Sequence, residues 1–484
     1  MLEASGISKK MMTIKGSHPK ILLINPPSEF KTPVLPLGLA SIVAYLKEKN
    51  NEIGVFVIDA WAENLESEEL KDRIAKTGAD IAGIYMVSPR YDQAKKTIEI
   101  CRQALPGSLI IAGGPHPSAM PRETLEDIPY LDVCAIGEGE EIMLELANNN
   151  PLSDIRGISY RKNGNIVTTP ARELINDLDS LPIPDRELFP IEKYCTHPPY
   201  GRKKPYFTMI TSRGCPFRCA YCSKDVFRQN YRAKSPGKVC DEIEELILKY
   251  GAKETHFYDD DFTLDMKRAE EICNEIIRRR IKIIWSCTTR VDLVNENLLK
   301  KMKEAGCWLI SYGVESGNQK ILDAINKGFT VKQIMSAFEM TRKIGISTVG
   351  FFMVGLPGET EETIKETLAL SKKIKPNFVS WGILVAYPGS SFYKDIQAGK
   401  YRGRLRILGR DKGEDLTGTF FGKGNYIVFE DSLTFEQLQT IIKKANWEFY
   451  FRPAYLLQAA SSIRSFSDLN YYLRAAAGLI QSII

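Results

Sequence analysis

From residue 20 to about residue 390 the chain alternates short apolar runs with amphipathic stretches of helical period. Few architectures satisfy that alternation. Strands linked by crossover helices pair in parallel and are covered on both faces, so the fold class is α/β. The alternation falls into two blocks. In the first, ILLIN (21–25), EIGVFVIDA (52–60), DIAGIYMV (80–87), SLIIAGGPHPS (108–118) and DVCAIGEGEE (132–141) each contain a strand. Five such units predict a Rossmann-like, doubly wound parallel sheet over residues 1–150. In the second, YFTMIT (206–211), THFYD (255–259), IIWSC (283–287), WLISYG (308–313), TVGFFMV (348–354) and FVSWGIL (378–384) read as six strands. They predict a (β/α)6 partial TIM barrel over 205–392. Residues 151–204 read as a linker with a hairpin at Asn163-Gly164 and two proline-rich stretches. Residues 393–484 open with a basic loop and continue as a helical C-terminal domain.

Composition narrows the class. A chain of 484 residues is too long for one core. A net charge of +5 does not call for nucleic acid as a partner. Ten cysteines in a chain this long do not make a secreted disulfide framework. The first twenty residues lack the apolar stretch of a signal peptide. No apolar run approaches the ~20 residues of a spanning helix. A cytoplasmic protein with free or metal-bound thiols is expected.

Ligands of such folds bind beyond the carboxyl ends of the strands. In TSRGCPFRCAYCS (211–223), directly after the first strand of the second block, Cys215, Cys219 and Cys222 follow C-x3-C-x2-C spacing. Three thiolates on one loop can ligate three irons of a 4Fe–4S cube and leave the fourth iron open. An open position is what a catalytic metal site needs. A structural zinc site would want a second C-x2-C pair, and there is none. An electron-carrying ferredoxin would want a nearby fourth cysteine, and Cys195 and Cys240 are distant. Cys101, Cys134, Cys273, Cys287 and Cys307 read as core.

On these residues the chain resembles the radical SAM superfamily, over roughly 205–390. The resemblance implies a 4Fe–4S cluster and S-adenosylmethionine (SAM), cleaved reductively to a 5′-deoxyadenosyl radical. It makes Tyr221 the family's aromatic in the cluster loop. YDDDFT (258–263) resembles the acidic second-strand motif, with Asp260 and Asp261 facing the site; a solvated acidic turn is the alternative. CTTRVD (287–292) places Arg290 where a cation can pair with the SAM carboxylate, or else form a surface salt bridge. GVESG (313–317) resembles the fourth-strand motif, with Glu315 and Ser316 contacting SAM. GFFMVGLPGET (350–360) resembles the glycine-rich motif beside the adenosine, through Gly350 and Gly355; a plain tight turn is the alternative. AYPGSSFY (386–393), with Tyr387, resembles the sixth-strand motif whose backbone holds adenine, although Ser391 replaces a frequent proline.

An α/β domain ahead of such a barrel resembles the cobalamin-binding subclass, the class B radical SAM methyltransferases. The loops NPP (25–27), PLGLA (36–40), GGPH (113–116) and GEGE (137–140) carry this likeness. It implies cobalamin as a further cofactor, with Asn25, Pro26, Ser88, Gly113, Gly114, His116, Gly137 and Glu138 as contacts. The chain lacks D-x-H-x-x-G, the motif that sets a histidine beneath cobalt, and His116 in GGPHPS is not in that context. Methylthiolation of tRNA would want three cysteines in this domain, which has only Cys101 and Cys134.

The implied activity is methyl transfer to an unactivated carbon, with methylcobalamin supplying the methyl. Radical cyclisation, oxidation or carbon–carbon coupling of a lipid or isoprenoid-like substrate without cobalamin is an alternative. A non-catalytic iron–sulfur or cobalamin redox sensor is another. Reduced flavodoxin or ferredoxin is the expected electron donor. The tail (446–484) mixes aromatic, arginine and apolar residues, as an interfacial helix does. It either touches a membrane surface or caps the barrel.

Overall fold

A computed structural model describes residues 18–29, 33–194, 201–401, 405–407, 427–429 and 433–462. In the amino-terminal half, β1 (Lys20–Asn25), β2 (Gly54–Asp59), β3 (Ile81–Tyr85), β4 (Leu109–Gly113) and β5 (Val133–Ala135) form one parallel sheet in the order β2-β1-β3-β4-β5. The apolar run of β1 shows why. Ile21 and Leu23 enter one core and Leu22 and Ile24 the other, so both faces are covered. The strand order reverses between β1 and β3, which opens a crevice at their carboxyl ends.

The hairpin assigned to the linker belongs to this sheet. Here β6 (Ile158–Lys162) pairs antiparallel with β5, and β7 (Asn165–Thr168) with β6. Asn163 and Gly164 both have positive φ, 51° and 81°, as a two-residue hairpin turn requires. Ile158, Ser159 and Tyr160 are buried, so β6 closes the core rather than linking two cores.

The second sheet contains β8 (Tyr206–Met209), β11 (Glu254–Phe257), β12 (Ile284–Thr289), β13 (Cys307–Glu315), β14 (Ser347–Val354) and β15 (Phe378–Ile383), all parallel and in chain order. A short antiparallel ribbon, β9 (Ser212–Arg213) with β10 (Arg232–Ala233), flanks the cysteine loop. Because β8 and β15 do not pair, the barrel is partial and open. Helices Pro236–Tyr250, Met266–Arg278, Glu296–Glu304, Val331–Ile344 and Glu361–Lys373 make the crossovers. Their N-caps Ser235, Asp265, Asn295, Thr330 and Thr360 each accept a backbone N–H through the side chain. Between sheet and helices, Phe257 stacks on Phe262 at 4.7 Å and meets the edge of Trp285 at 5.2 Å.

The carboxyl-terminal region contributes β16 (Leu405–Ile407), β17 (Ile427–Phe429) and helices Phe435–Tyr450 and Pro453–Ser462. The first helix lies on β15, where the Tyr450 hydroxyl bonds the backbone of Val379 at 3.0 and 3.1 Å. Most of the basic loop, and the end of the tail beyond residue 462, fall outside the described residues. Among the described residues no helix is long and apolar enough to cross a membrane.

Buried charge joins the two sheets. Arg213 in β9 donates to Glu138 and Glu140 of the first domain, both at 2.6 Å, and Arg232 in β10 reaches Glu138 at 2.9 Å. Burial opposes the Arg213 charge, but Glu140 and Glu138 outweigh it and hold its pKa above the ordinary value. Behind them Arg186 of the connector meets Glu242 at 2.7 Å, and Lys234 meets the same carboxylate at 2.8 Å. Arg186 and Glu242 are 1% and 0% exposed, so removing either leaves an uncompensated buried charge. Glu242→Ala is expected to cost about 3–5 kcal/mol of stability in urea unfolding. Burial raises the Glu242 pKa, but Lys234 and Arg186 pull it below the ordinary carboxylate value. Its contribution is therefore full above the unfolded carboxylate range and is lost as pH falls through the lower, folded pKa. An alanine variant whose urea midpoint matches wild type at neutral pH would refute this role.

Candidate active site

The cysteine loop leaves β8 at the barrel mouth. Its entry is fixed by Asp259, whose carboxylate accepts from Thr211 N at 2.6 Å, Ser212 N at 3.0 Å and the Thr211 hydroxyl at 2.5 Å. Sequence reasoning weighed the two aspartates that follow and passed over this one. Gly214 has φ +87°, and a Cβ there would stand 2.2 Å from Asn230 O, so only glycine lets the loop pass. Cys215 Sγ lies 3.4 Å from Asp261, and Cys219 Sγ 4.0 Å from Arg290. Cys222 is exposed. Burial pushes the Cys215 thiol up to about 11 and Asp261 up to about 6.

All three thiols are free. Among the described residues, no three His, Cys, Asp or Glu side chains converge on a single ion. Three thiols on one loop suffice for a cluster triad, because each thiolate ligates its own iron. The donor set therefore fits a 4Fe–4S cluster.

Around the loop, Tyr221 donates to Glu315 Oε1 at 2.9 Å, and Lys327 Nζ lies 2.9 Å from that oxygen and 3.0 Å from the Tyr221 hydroxyl. Glu315 holds a left-handed conformation, φ +66°, of the kind that clusters at functional sites. Gly313 makes room: a Cβ there would sit 2.7 Å from Glu315 Oε1. Lys327 had no sequence signal, because a lone lysine after a short helix fits no spacing rule. Arg290 is buried, with Nε and Nη2 donating to Asp292 at 2.9 Å, Nη2 also to Lys327 O at 2.7 Å, Nη1 turned to Cys219 Sγ, and Phe217 3.6 Å beneath its guanidinium.

Other expected contacts lie elsewhere. Ser316 is fully buried and bonds Thr367 Oγ1 at 3.2 Å, so it ties the turn after β13 to helix Glu361–Lys373 instead of facing the mouth. Gly350 packs behind the sheet, where a Cβ would come 2.8 Å from Phe352. Gly355, at φ +79°, forms the tight turn, its N–H donating to Glu359 at 2.6 Å. Asp260 is exposed. Tyr387 and Tyr221 line a cavity of about 530 Å³, together with Met353, Leu384 and Val385 of the barrel and Lys443 of helix Phe435–Tyr450.

At the carboxyl end of the first sheet, Asn25 donates to Asp59 at 2.9 Å. Arg90 donates to Asn25 at 3.2 Å and to Pro26 O at 3.1 Å. Ser88 bonds His116 Nδ1 at 2.9 Å, and His116 is 1% exposed. His116 is thus a buried strut between the β3 and β4 loops, not an exposed ligand. Gly114, at φ +109°, clears Met86 O, which a Cβ would approach to 2.9 Å. Gly137 donates to Ser118 Oγ at 3.0 Å. Glu138, read as a cofactor contact, is instead spent on Arg213 and Arg232, because two guanidiniums compete for it inside the domain interface. What remains suits a broad ring bearing amides. Gly38 offers bare backbone with nothing within 4 Å, and a Cβ on Gly113 would meet only Ala135, at 3.7 Å. The hydroxyls and amide nearby are neutral. Met120, from the β4 exit, packs with Ile321, Ile325, Leu356 and Leu384 of the barrel. The two sets of loops therefore face each other.

Comparison with known proteins agrees with this geometry. The model of the radical SAM superfamily matches residues 209–371, and that of the B12 binding domain matches 28–147. An uncharacterized methyltransferase of Pyrococcus horikoshii is 32% identical, covering 91% of this chain and 94% of that protein. An anaerobic magnesium-protoporphyrin IX monomethyl ester cyclase of Rubrivivax gelatinosus is also 32% identical, covering 75% and 66%. Among solved structures, TsrM from Kitasatospora setae with cobalamin and [4Fe-4S] cluster bound superposes with TM-score 0.75 at 19% identity, covering 90% of this chain and 92% of that one. OxsB with aqua-cobalamin bound gives TM-score 0.75 at 19% identity, covering 96% and 72%. At that identity the likeness speaks for the fold. With the cysteine loop set against the glycine loops of the first sheet, the chain belongs to the radical SAM superfamily, in the group that carries an amino-terminal B12-binding domain.

Proposed function

We propose that this protein transfers a methyl group to an unactivated carbon of a small molecule. The observation that carries the proposal is the direct apposition of the cysteine loop and the switch-point loops, held by Met120 and by the Arg213 clasp. When bound, the cluster supplies the electron that cleaves SAM, and cobalamin supplies a carrier for the methyl group. The chain's own residues position and shield. Asp259 fixes where the cysteine loop starts. Tyr221, Glu315 and Lys327 form one hydrogen-bonded set at the mouth, ready to orient the polar end of SAM. The Met120 contact closes one side of the mouth, and excluding water there protects a carbon radical from side reactions.

Relatives support the reaction class. Besides the Pyrococcus protein, a cytidylyl-2-hydroxyethylphosphonate methyltransferase of Streptomyces wedmorensis is 27% identical over 73% of this chain. The cyclase relative favours a second reading, radical cyclisation or oxidation on the same scaffold. The exposed Cys222 supports electron entry from reduced flavodoxin or ferredoxin. Exposed Trp447, Phe451, Leu456 and Leu457 support a peripheral membrane contact of the C-terminal helices.

Anaerobic reconstitution with iron, sulfide and hydroxocobalamin tests the proposal. Wild type should bind about four irons per chain and one corrinoid, and release 5′-deoxyadenosine from SAM under strong reductant. Cys215→Ala should lose the cluster absorption and the release while keeping the corrinoid. A full cluster with no corrinoid would favour the cyclisation or oxidation reading. No cluster, under conditions that load a control enzyme, would sink both.

A further inference from the structure

The inner face of the barrel sheet has an unusual composition. Strand alternation sends Phe257, Trp285, Cys287 and Tyr312 outward into the helix-covered core, so their neighbours face inward. His256 and Ser286 are register partners on β11 and β12, and their side chains bond at 2.8 Å. Tyr258 stands above His256 with rings 4.8 Å apart, and it is 51% exposed although it follows a central strand. Across the sheet, Ser311 and Ser380 occupy inward positions on β13 and β15. Ser311 is buried and Ser380 half-buried, and among the described residues neither hydroxyl makes a hydrogen bond. On β15 a Cβ added to Gly382 would meet nothing within 4 Å. Below this layer Leu309, Val349 and Phe378 form an apolar floor. Glu254, two residues before His256 at the foot of β11, is held by the Arg202 and Lys203 N–H groups and the Trp308 indole, and at the rim Glu315 pairs with Lys327 and Arg290 with Asp292. Burial holds the His256 pKa down at about 4, so its imidazole is neutral at pH 7.

We infer that this inner face, centred on His256, binds the uncharged polar part of the substrate and selects a hydroxyl-, carbonyl- or amide-bearing small molecule over a hydrocarbon. The inference rests on the radical reading above for that ligand's being the substrate. A neutral imidazole keeps one donor and one acceptor; Nδ1 is engaged by Ser286, which leaves Nε2 for a ligand. A hydrocarbon laid on this wall would strip water from the free hydroxyls and replace it with nothing.

The test uses the reconstituted full-length protein and two probes from a source-cell extract, the neutral water-soluble fraction and the chloroform-soluble lipid fraction. Release of 5′-deoxyadenosine with each probe is compared with probe-free release for wild type, His256→Phe, His256→Asn and Ser311→Val. The neutral fraction should stimulate wild type. His256→Phe should lose that stimulation by about tenfold or more, with partial recovery in His256→Asn, whose amide still donates and accepts. Ser311→Val, which exchanges a hydroxyl for a methyl, should weaken it in the same direction. In parallel, the ring-carbon NMR signal of His256, one of four histidines, should shift on adding the neutral fraction and not the lipid fraction. Stimulation by the lipid fraction alone, or stimulation equal in all four proteins, overturns the inference. Absence of release from every protein overturns the radical reading itself, and the histidine signal still decides the site.

Discussion

Two residues before the first cluster cysteine, one buried guanidinium is shared between two carboxylates of another domain. The rest of the site depends on this arrangement. The ribbon that carries Arg213 is only two residues long on each side, too short to hold a loop by ladder bonds. Its geometry is borrowed from Glu138 and Glu140, which belong to the loop and helix after β5. The cysteine loop is therefore placed relative to the first sheet as much as relative to the barrel. A charge pair this deep contributes little net energy compared with apolar packing, but it punishes any misplacement. Its effect is specificity of docking.

Charge is distributed by the same logic at the mouth. At the mouth Lys327 pairs with Glu315 and Arg290 with Asp292, and Arg232 behind it pairs with Glu138. Deeper in, the inner face of the barrel presents hydroxyls, imidazole and backbone to a guest. That suits a reaction in which the reactive species is an uncharged carbon radical, and in which selectivity comes from position.

The fold was legible because a strand covered on both faces must be apolar throughout, and each run such as ILLIN or IIWSC marks itself. The cysteine spacing was legible because ligation needs adjacent thiols on one loop. The misplacements share a cause. Glu138 and Ser316 sit inside motif-like strings, but their partners, Arg213 and Thr367, come from distant segments that no local pattern announces. Lys327 and Asp259 were missed for the converse reason: their roles arise only when separate strands bring them to the same mouth. The hairpin after β5 was recognised as a hairpin and misassigned as a linker, because turn chemistry says nothing about which sheet receives it.

That hairpin has a further consequence. Without it the first sheet would end at β5, three residues long and parallel, offering unpaired backbone to any passing strand. With it the margin is β7, four residues whose pattern is mostly exposed and whose ends are asparagine and threonine. A short, polar, sharply turned margin is a poor template for a foreign chain. In a protein built from two open sheets, the segment between them keeps one from recruiting strands while the other stays open for chemistry.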